Sequence, residues 1–153
     1  MNTQLKQRPI PAANAVAAAS DMFSLRQFIP VAELSAIRDG LRGEESQFFH
    51  DKLAEITHTV VTMPETYGQD GLGYDAIAYL HYFSGGNDWY ITEKDAGDPD
   101  DAVDPGQIQA FGLVSLLGGE PEFGYISIAE LIQCGVELDL YFTPKALKEL
   151  DID

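Results

Sequence analysis

The sequence predicts an α+β fold: an antiparallel sheet of about four strands with helices on one face, preceded by a helical N-terminal segment. Three features carry that expectation. Phe49, Leu53, Ile56, Val60 and Met63 recur at intervals of four, three, four and three, the stripe of an amphipathic helix, and they lie in the first half of the chain. From Tyr67 onward, apolar residues instead fall in short runs separated by glycine-rich turns. Those runs follow one another directly, without long helices between them and without an internal repeat.

Taken in order, residues 1–20 (MNTQLKQRPIPAANAVAAAS) form a stretch of small residues with two early positive charges. They hold no apolar block of about 7–15 residues such as a secretory signal needs, so a flexible arm in the cytoplasm is expected. Residues 21–66 are expected to be helical. DMFSLRQF gives a short helix, PVAELSAIRDG a second that opens at Pro30 and closes at Gly40, and a third runs from about Glu44. The β-branched end of the third, THTVVT, fits the start of a strand equally well.

Residues 67–153 are read as the α+β part, packed with 21–66 into one domain. DAIAYLHYF and DWYITEK, joined by SGGN, form a hairpin in which Gly85 and Gly86 supply positive φ. The stretch EKDAGDPDDAVDPG, residues 93–106, is a loop with six carboxylates and one lysine. QIQAFGLVSLL resumes extended structure and GGEPEFG turns. Ser127 and Glu130 then have capping-box spacing before a short helix that stops at Gly135. In VELDLYF, Val136, Leu138, Leu140 and Phe142 alternate with polar positions as a strand, and Thr143 and Pro144 open a last helix, PKALKEL.

Charge excludes some functions. The 153 residues carry a formal net charge of −16, and between Leu53 and Pro144 sixteen acids face only Lys94. Nucleic-acid binding draws its affinity from Lys and Arg neutralising phosphates, so direct binding to DNA or RNA is not expected. A basic protein would be steered in, and proteins that handle nucleic acid are common basic partners. Solubility alone also accounts for an acidic surface. No run approaches the roughly 18 apolar residues that cross a bilayer. The single Cys134 cannot form an internal disulfide and is expected to be a small buried side chain.

Chemistry-bearing patterns are sparse. Read as an EF-hand from Asp98, the loop has Ala102 at position five and Val103 at position six, so the pattern fails; only a looser ion site at Asp98, Asp100 and Asp101 is left. His50 and His58 lie about 12 Å apart along a helix by its rise per residue, too far for one ion. His81, inside an apolar strand, reads as structural. No nucleophile elbow, P-loop or dinucleotide fingerprint is present, so no cofactor, metal or catalytic residue is assigned. The remaining enzymatic option is a hydrolase or transferase using Glu93 and Glu122 as paired carboxylates. Trp89, between Asp88 and Tyr90, fits a core aromatic better than a binding platform.

The order of motifs in the C-terminal half is also informative: a strand ending at Phe83, Trp89, ITEKD, an aspartate–proline spacer, AFGL, EPEFGYISIAEL and VELDLYFTPKAL. Over residues 76–147 this resembles a domain-of-unknown-function family, serial number 2958, of small accessory proteins from plasmids, phages and integrative elements. Some of these stand near antirestriction and conjugation genes. The matching positions are Trp89, Glu93, Asp95, Phe111, Gly112, Leu113, Pro121, Glu122, Gly124, Tyr125, Glu130 and Asp139. The longer acidic loop and the segment before Tyr67 depart from the family pattern.

Gly112, Gly124, Pro121 and Glu130 suit bends, a turn and a cap. Exposed carboxylates are not needed to build a sheet, which directs attention to Glu93, Asp95, Glu122 and Asp139. Together with Trp89 and the loop residues Asp98, Asp100, Asp101 and Asp104, they form the expected binding set. The expected function is an acidic accessory protein of a mobile element that binds a basic protein, such as an anti-defence inhibitor or nucleic-acid mimic. An oligomerising protein, paired through the stripe from Phe49 to Met63, is the third reading.

Overall fold

In a computed structural model, which describes residues 25–98, 100 and 106–152, the chain has the expected α+β architecture. The arm at 1–20 lies outside those residues. Of the first short helix, a 3-10 turn at Leu25–Gln27 is described. Helix α1 spans Val31–Gly40 behind Pro30, and α2 spans Ser46–Thr62. The β-branched end of α2 stays helical because Val60 and Met63 continue its buried stripe, and tertiary packing outweighs the weak strand propensity. Leu53, Ile56, Val60 and Met63 of that stripe are buried in the chain's own core, and half-buried Phe49 packs against it.

The strands are β1 (Ile77–Ala78), β2 (Leu80–Ser84), β3 (Asn87–Glu93), β4 (Ala110–Ser115), β5 (Glu122–Ile126), β6 (Glu137–Leu138) and β7 (Lys145–Ala146). Five form an antiparallel sheet in the order β5-β4-β3-β2-β6, while β1 and β7 pair as a separate ribbon. The β2–β3 hairpin turns at Gly85 and Gly86, with φ of 55° and 88°, the two positive angles that a tight hairpin turn of this kind requires. Helix α3 (Ile128–Gln133) is capped as expected, the Ser127 hydroxyl accepting from Glu130 N at 3.1 Å.

Register divides the sheet into two faces. Leu80 and Tyr82 align with Ile91 and Trp89, and Ile91 and Trp89 with Gly112 and Val114. This first face carries the helices: Leu34, Ile37, Leu53, Ile56, Ile128 and Leu131 pack with Leu80, Tyr82 and Ile91 into one cluster. Tyr82, fully buried, donates its hydroxyl to Phe28 O and so anchors the segment before α1. The second face is only half covered. Tyr90 and Leu113 pack there with Ala76, Ala78 and Leu147, backed by Phe142, Leu150 and Ile152.

Four expectations need correction. GGEPEFG is not wholly a turn: its last residues begin β5, an edge strand whose exposed Glu122 and Phe123 gave no alternating signal. VELDLYF pairs over two residues only, because the Asp139 carboxylate accepts from Tyr141 N (2.9 Å) and turns the chain. PKALKEL does not open a helix; Lys145–Ala146 pair with β1 and Leu147 N donates to Ala76 O, leaving a 3-10 turn at Leu147–Glu149. Cys134, at the end of α3, is exposed. Among the described residues no helix is long and apolar enough to cross a membrane.

Candidate functional site

The open half of the second face is built by a strap and a bulge. The strap, residues 64–76, runs from α2 to β1. Thr66 N donates to Lys94 O and Lys94 N to Pro64 O, a short parallel bridge to the end of β3. The Thr66 hydroxyl donates to Gln109 O at 2.9 Å. Gln69 is buried with its amide fully used: it donates to Ile77 O and Thr92 O and accepts from Ile77 N, all at 2.7–2.8 Å. A buried amide satisfied on both ends fixes the strap against two strands at once.

The bulge sets the direction of Glu93. Ile91 pairs with Gly112 but Glu93 pairs with Phe111, so two residues of β3 advance against one of β4. Glu93 therefore leaves the face of Ile91 and joins Phe111 on the second face, where Phe111 aligns with Tyr125. Gly112 permits this close approach, since a Cβ there would lie 1.9 Å from Tyr90 O. Thr92, at the bulge, donates its hydroxyl to Phe111 O at 3.1 Å.

Strap and bulge enclose a cavity of about 220 Å³. Glu93 lines it at 3% exposure, in no ion pair among the described residues, and its Oε1 accepts from Tyr67 N at 2.5 Å. Tyr67 holds φ at 77°, a left-handed conformation that is uncommon for an aromatic residue and costs about 1–3 kcal/mol. Two bonds hold it there, the one to Glu93 and a contact of its hydroxyl with that of Tyr125 at 2.5 Å. Phe111 and Phe123 stack with rings 7° apart, Tyr125 meets Phe111 edge-on at 5.7 Å, and Tyr74 meets Phe123 edge-on at 5.4 Å. Tyr67, Tyr74, Phe123 and Tyr125 are all exposed, a contiguous aromatic surface of the kind that marks binding sites.

The electrostatics of the cavity are one-sided. Among the described residues its lining holds two carboxylates, Glu93 and Asp70, and no Lys, Arg or His. The Tyr125 phenol is held above its ordinary range, first by its hydrogen bond with Tyr67, then by desolvation and by the negative charges of Asp70 and Glu93. Lys94 extends away, donating to Val60 O and Val61 O at the end of α2, and Lys148 is paired with Asp75.

The covered half of the same face holds a second carboxylate cluster. His81 stacks on Tyr90 at 4.6 Å, with Nε2 2.7 Å from Asp88 Oδ1 and Nδ1 3.1 Å from Asp139 Oδ2. Both ring nitrogens therefore face a carboxylate oxygen. Nearby, Glu33 of α1 accepts from Leu138 N on β6 at 2.6 Å; burial, aided by Glu137 and Asp139 and opposed by that bond, pushes its pKa up to about 7.

The expected binding residues fall into different places. Glu93 lines the cavity floor and is buried, not exposed. Asp95 closes the base of the acidic loop: its carboxylate accepts from Gly97 N, Ile108 N and Gln109 N at 3.0–3.1 Å, and its backbone exchanges two bonds with the Gln107 side chain. Asp139 serves His81 and its own turn. Trp89 packs half-buried against the helix-side core. Asp98 accepts from Asp100 N within the loop, and Asp100 is exposed; Asp101 and Asp104 lie outside the described residues. Glu122 is exposed on β5 opposite Val114, on the face away from Glu93, so the two carboxylates do not share a cleft. Among the described residues no group of three His, Cys, Asp or Glu side chains is arranged to hold a metal ion.

Tyr67, Asp70, Tyr74 and Phe123 were not singled out from the sequence. The only local signal was the cluster of glycines around them, which reads as a turn and is silent about what the turn covers. Compared with protein-family profiles, curated proteins and solved structures, the chain gives no match.

Proposed function

We propose that this chain is a non-enzymatic, acidic binding protein whose partner is a basic protein surface, docked against the open half of the sheet. The observation that carries this reading is the coincidence there of exposed Tyr67, Tyr74, Phe123 and Tyr125 with Glu93 and Asp70 in a cavity whose lining, among the described residues, holds no cationic side chain. Aromatic anchors supply contact area at low entropic cost, and surrounding negative potential steers a basic partner and selects against acidic ones. The net charge of −16 supports the same sign of partner and opposes direct nucleic-acid binding.

The motif resemblance supports a setting among accessory proteins of mobile elements. In that setting the basic partner is a host protein that handles nucleic acid, and inhibition of a defence nuclease is the concrete form. A hydrolase built on Glu93 and Glu122 is disfavoured by their placement on opposite faces, and an oligomer built on the α2 stripe by its burial.

The test is affinity capture from the host, followed by binding measurements on the purified captured protein. Its affinity is expected to fall about tenfold or more between about 50 and about 300 mM salt, and duplex DNA is expected to compete. Neutralising Asp98, Asp100, Asp101 and Asp104 together is expected to weaken it further. An affinity indifferent to salt and to DNA refutes the proposal.

A further inference from the structure

We propose that the cavity between the strap and β3–β5 is a receptor for one arginine side chain of the basic partner, the guanidinium lodging against Glu93 among the aromatic rings. This rests on the basic-partner reading and specifies where its strongest contact falls.

The chemistry of the walls favours a planar organic cation. The Glu93 carboxylate and the Phe111, Phe123 and Tyr67 rings in the lining combine an ion-pair acceptor with the negative quadrupole of π-systems. A guanidinium is planar, stacks on aromatic rings and presents a fork of N–H donors to a carboxylate, whereas an ammonium is more strongly hydrated and has no flat face. The apolar stem of arginine suits the side walls formed by Phe111 and Phe123. At about 220 Å³ the cavity has the bulk of about seven waters, room for a side-chain tip but small for a cofactor, which typically fills about 300–1,000 Å³.

The protein also contains a worked version of this arrangement. On the same face, the His81 ring stacks on Tyr90 and lies between Asp88 and Asp139. There the chain's own planar, nitrogen-bearing ring meets the carboxylates. At Glu93 the corresponding contact, among the described residues, is the backbone N–H of Tyr67.

The experiment uses amide NMR on the full chain, titrated with N-acetyl-arginine amide and with N-acetyl-citrulline amide, its uncharged analogue. The arginine probe is expected to shift Tyr67, Asp70 and Gly71 about fivefold more than citrulline does, with an N-acetyl-lysine amide weaker than arginine. Glu93→Gln keeps an acceptor for Tyr67 N–H, and Phe123→Ala removes an exposed ring; each is expected to lower arginine affinity about tenfold. Equal shifts from citrulline, equal binding of lysine, or shifts confined to the acidic loop overturn the proposal. If the captured basic partner binds both variants as it binds the parent, the cavity assignment fails while the basic-partner reading stands. If the arginine probe binds as described but no basic partner is captured, the reverse holds.

Discussion

Two aromatic clusters share the second face of the sheet and differ in what meets their carboxylates. In the covered half, Asp88 and Asp139 are matched by His81 inside a roof made by Tyr90, Phe142 and the C-terminal segment. In the open half, Glu93 is matched among the described residues by the Tyr67 backbone N–H, and Tyr67, Tyr74, Phe123 and Tyr125 are exposed. Burying a carboxylate is unfavourable unless bonds compensate it. The carboxylates of the covered half are thus compensated within the fold, whereas the open half keeps the electrostatic capacity that the proposed partner would use.

The sharpest way to break this comparison is Gly112→Ala. A methyl group 1.9 Å from Tyr90 O forces apart β3 and β4 at the bulge that turns Glu93 onto the second face. Urea denaturation is expected to register a loss of about 3 kcal/mol or more, and a loss below about 1 kcal/mol would show that the bulge yields easily.

Next in size is the contrast between His81→Leu and Glu93→Gln. The first leaves two part-buried carboxylates without their partner and is expected to cost about 2–3 kcal/mol. The second retains an acceptor for Tyr67 and should alter stability by no more than about 0.5 kcal/mol. Equal effects would erase the distinction between the halves.

A third prediction concerns Glu33 of α1, on the helix side of edge strand β6. Its folded pKa, about 7, lies above the ordinary 4.5, so the folded state binds its proton more tightly than the unfolded state does. Its ionised form therefore opposes folding above pH 7, and that opposition is relieved as pH falls from 7 toward 4.5. Glu33→Gln is expected to stabilise by about 1–2 kcal/mol at about pH 8, discounted for partial solvent screening, and to flatten the pH profile below 7. Thermal melts across that range will check it; an unchanged slope would place the pH dependence elsewhere. A smaller loss is expected from Phe123→Ala, which removes two ring contacts from an exposed position and should cost about 0.5–1 kcal/mol by the same melts.

What the sequence disclosed follows the range of the interactions involved. The Gly85–Gly86 turn, the Ser127 cap and the α2 stripe are decided by residues within a few positions of one another, and all three were legible. The orientation of Glu93 was not. Counting by two along β3 places it beside Trp89 and Ile91 on the helix-covered face, and only the register with β4 reveals the bulge that reverses it. The failed C-terminal helix has the same cause, because Lys145 and Ala146 answer to β1, nearly seventy residues away. Tyr67 illustrates a third limit. Its left-handed backbone is compelled by a carboxylate and a phenol that approach from β3 and β5, and no local pattern announces that.

The Asp95–Gln107 clasp has an implication for how this chain can vary. With both ends of the intervening segment tied at the clasp, the number of residues between them is decoupled from strand alignment. Doubling such a connection adds only about 0.6 kcal/mol of closure entropy. That makes the site a natural cassette boundary, where foreign peptide can be exchanged or grafted while the scaffold beneath keeps its shape.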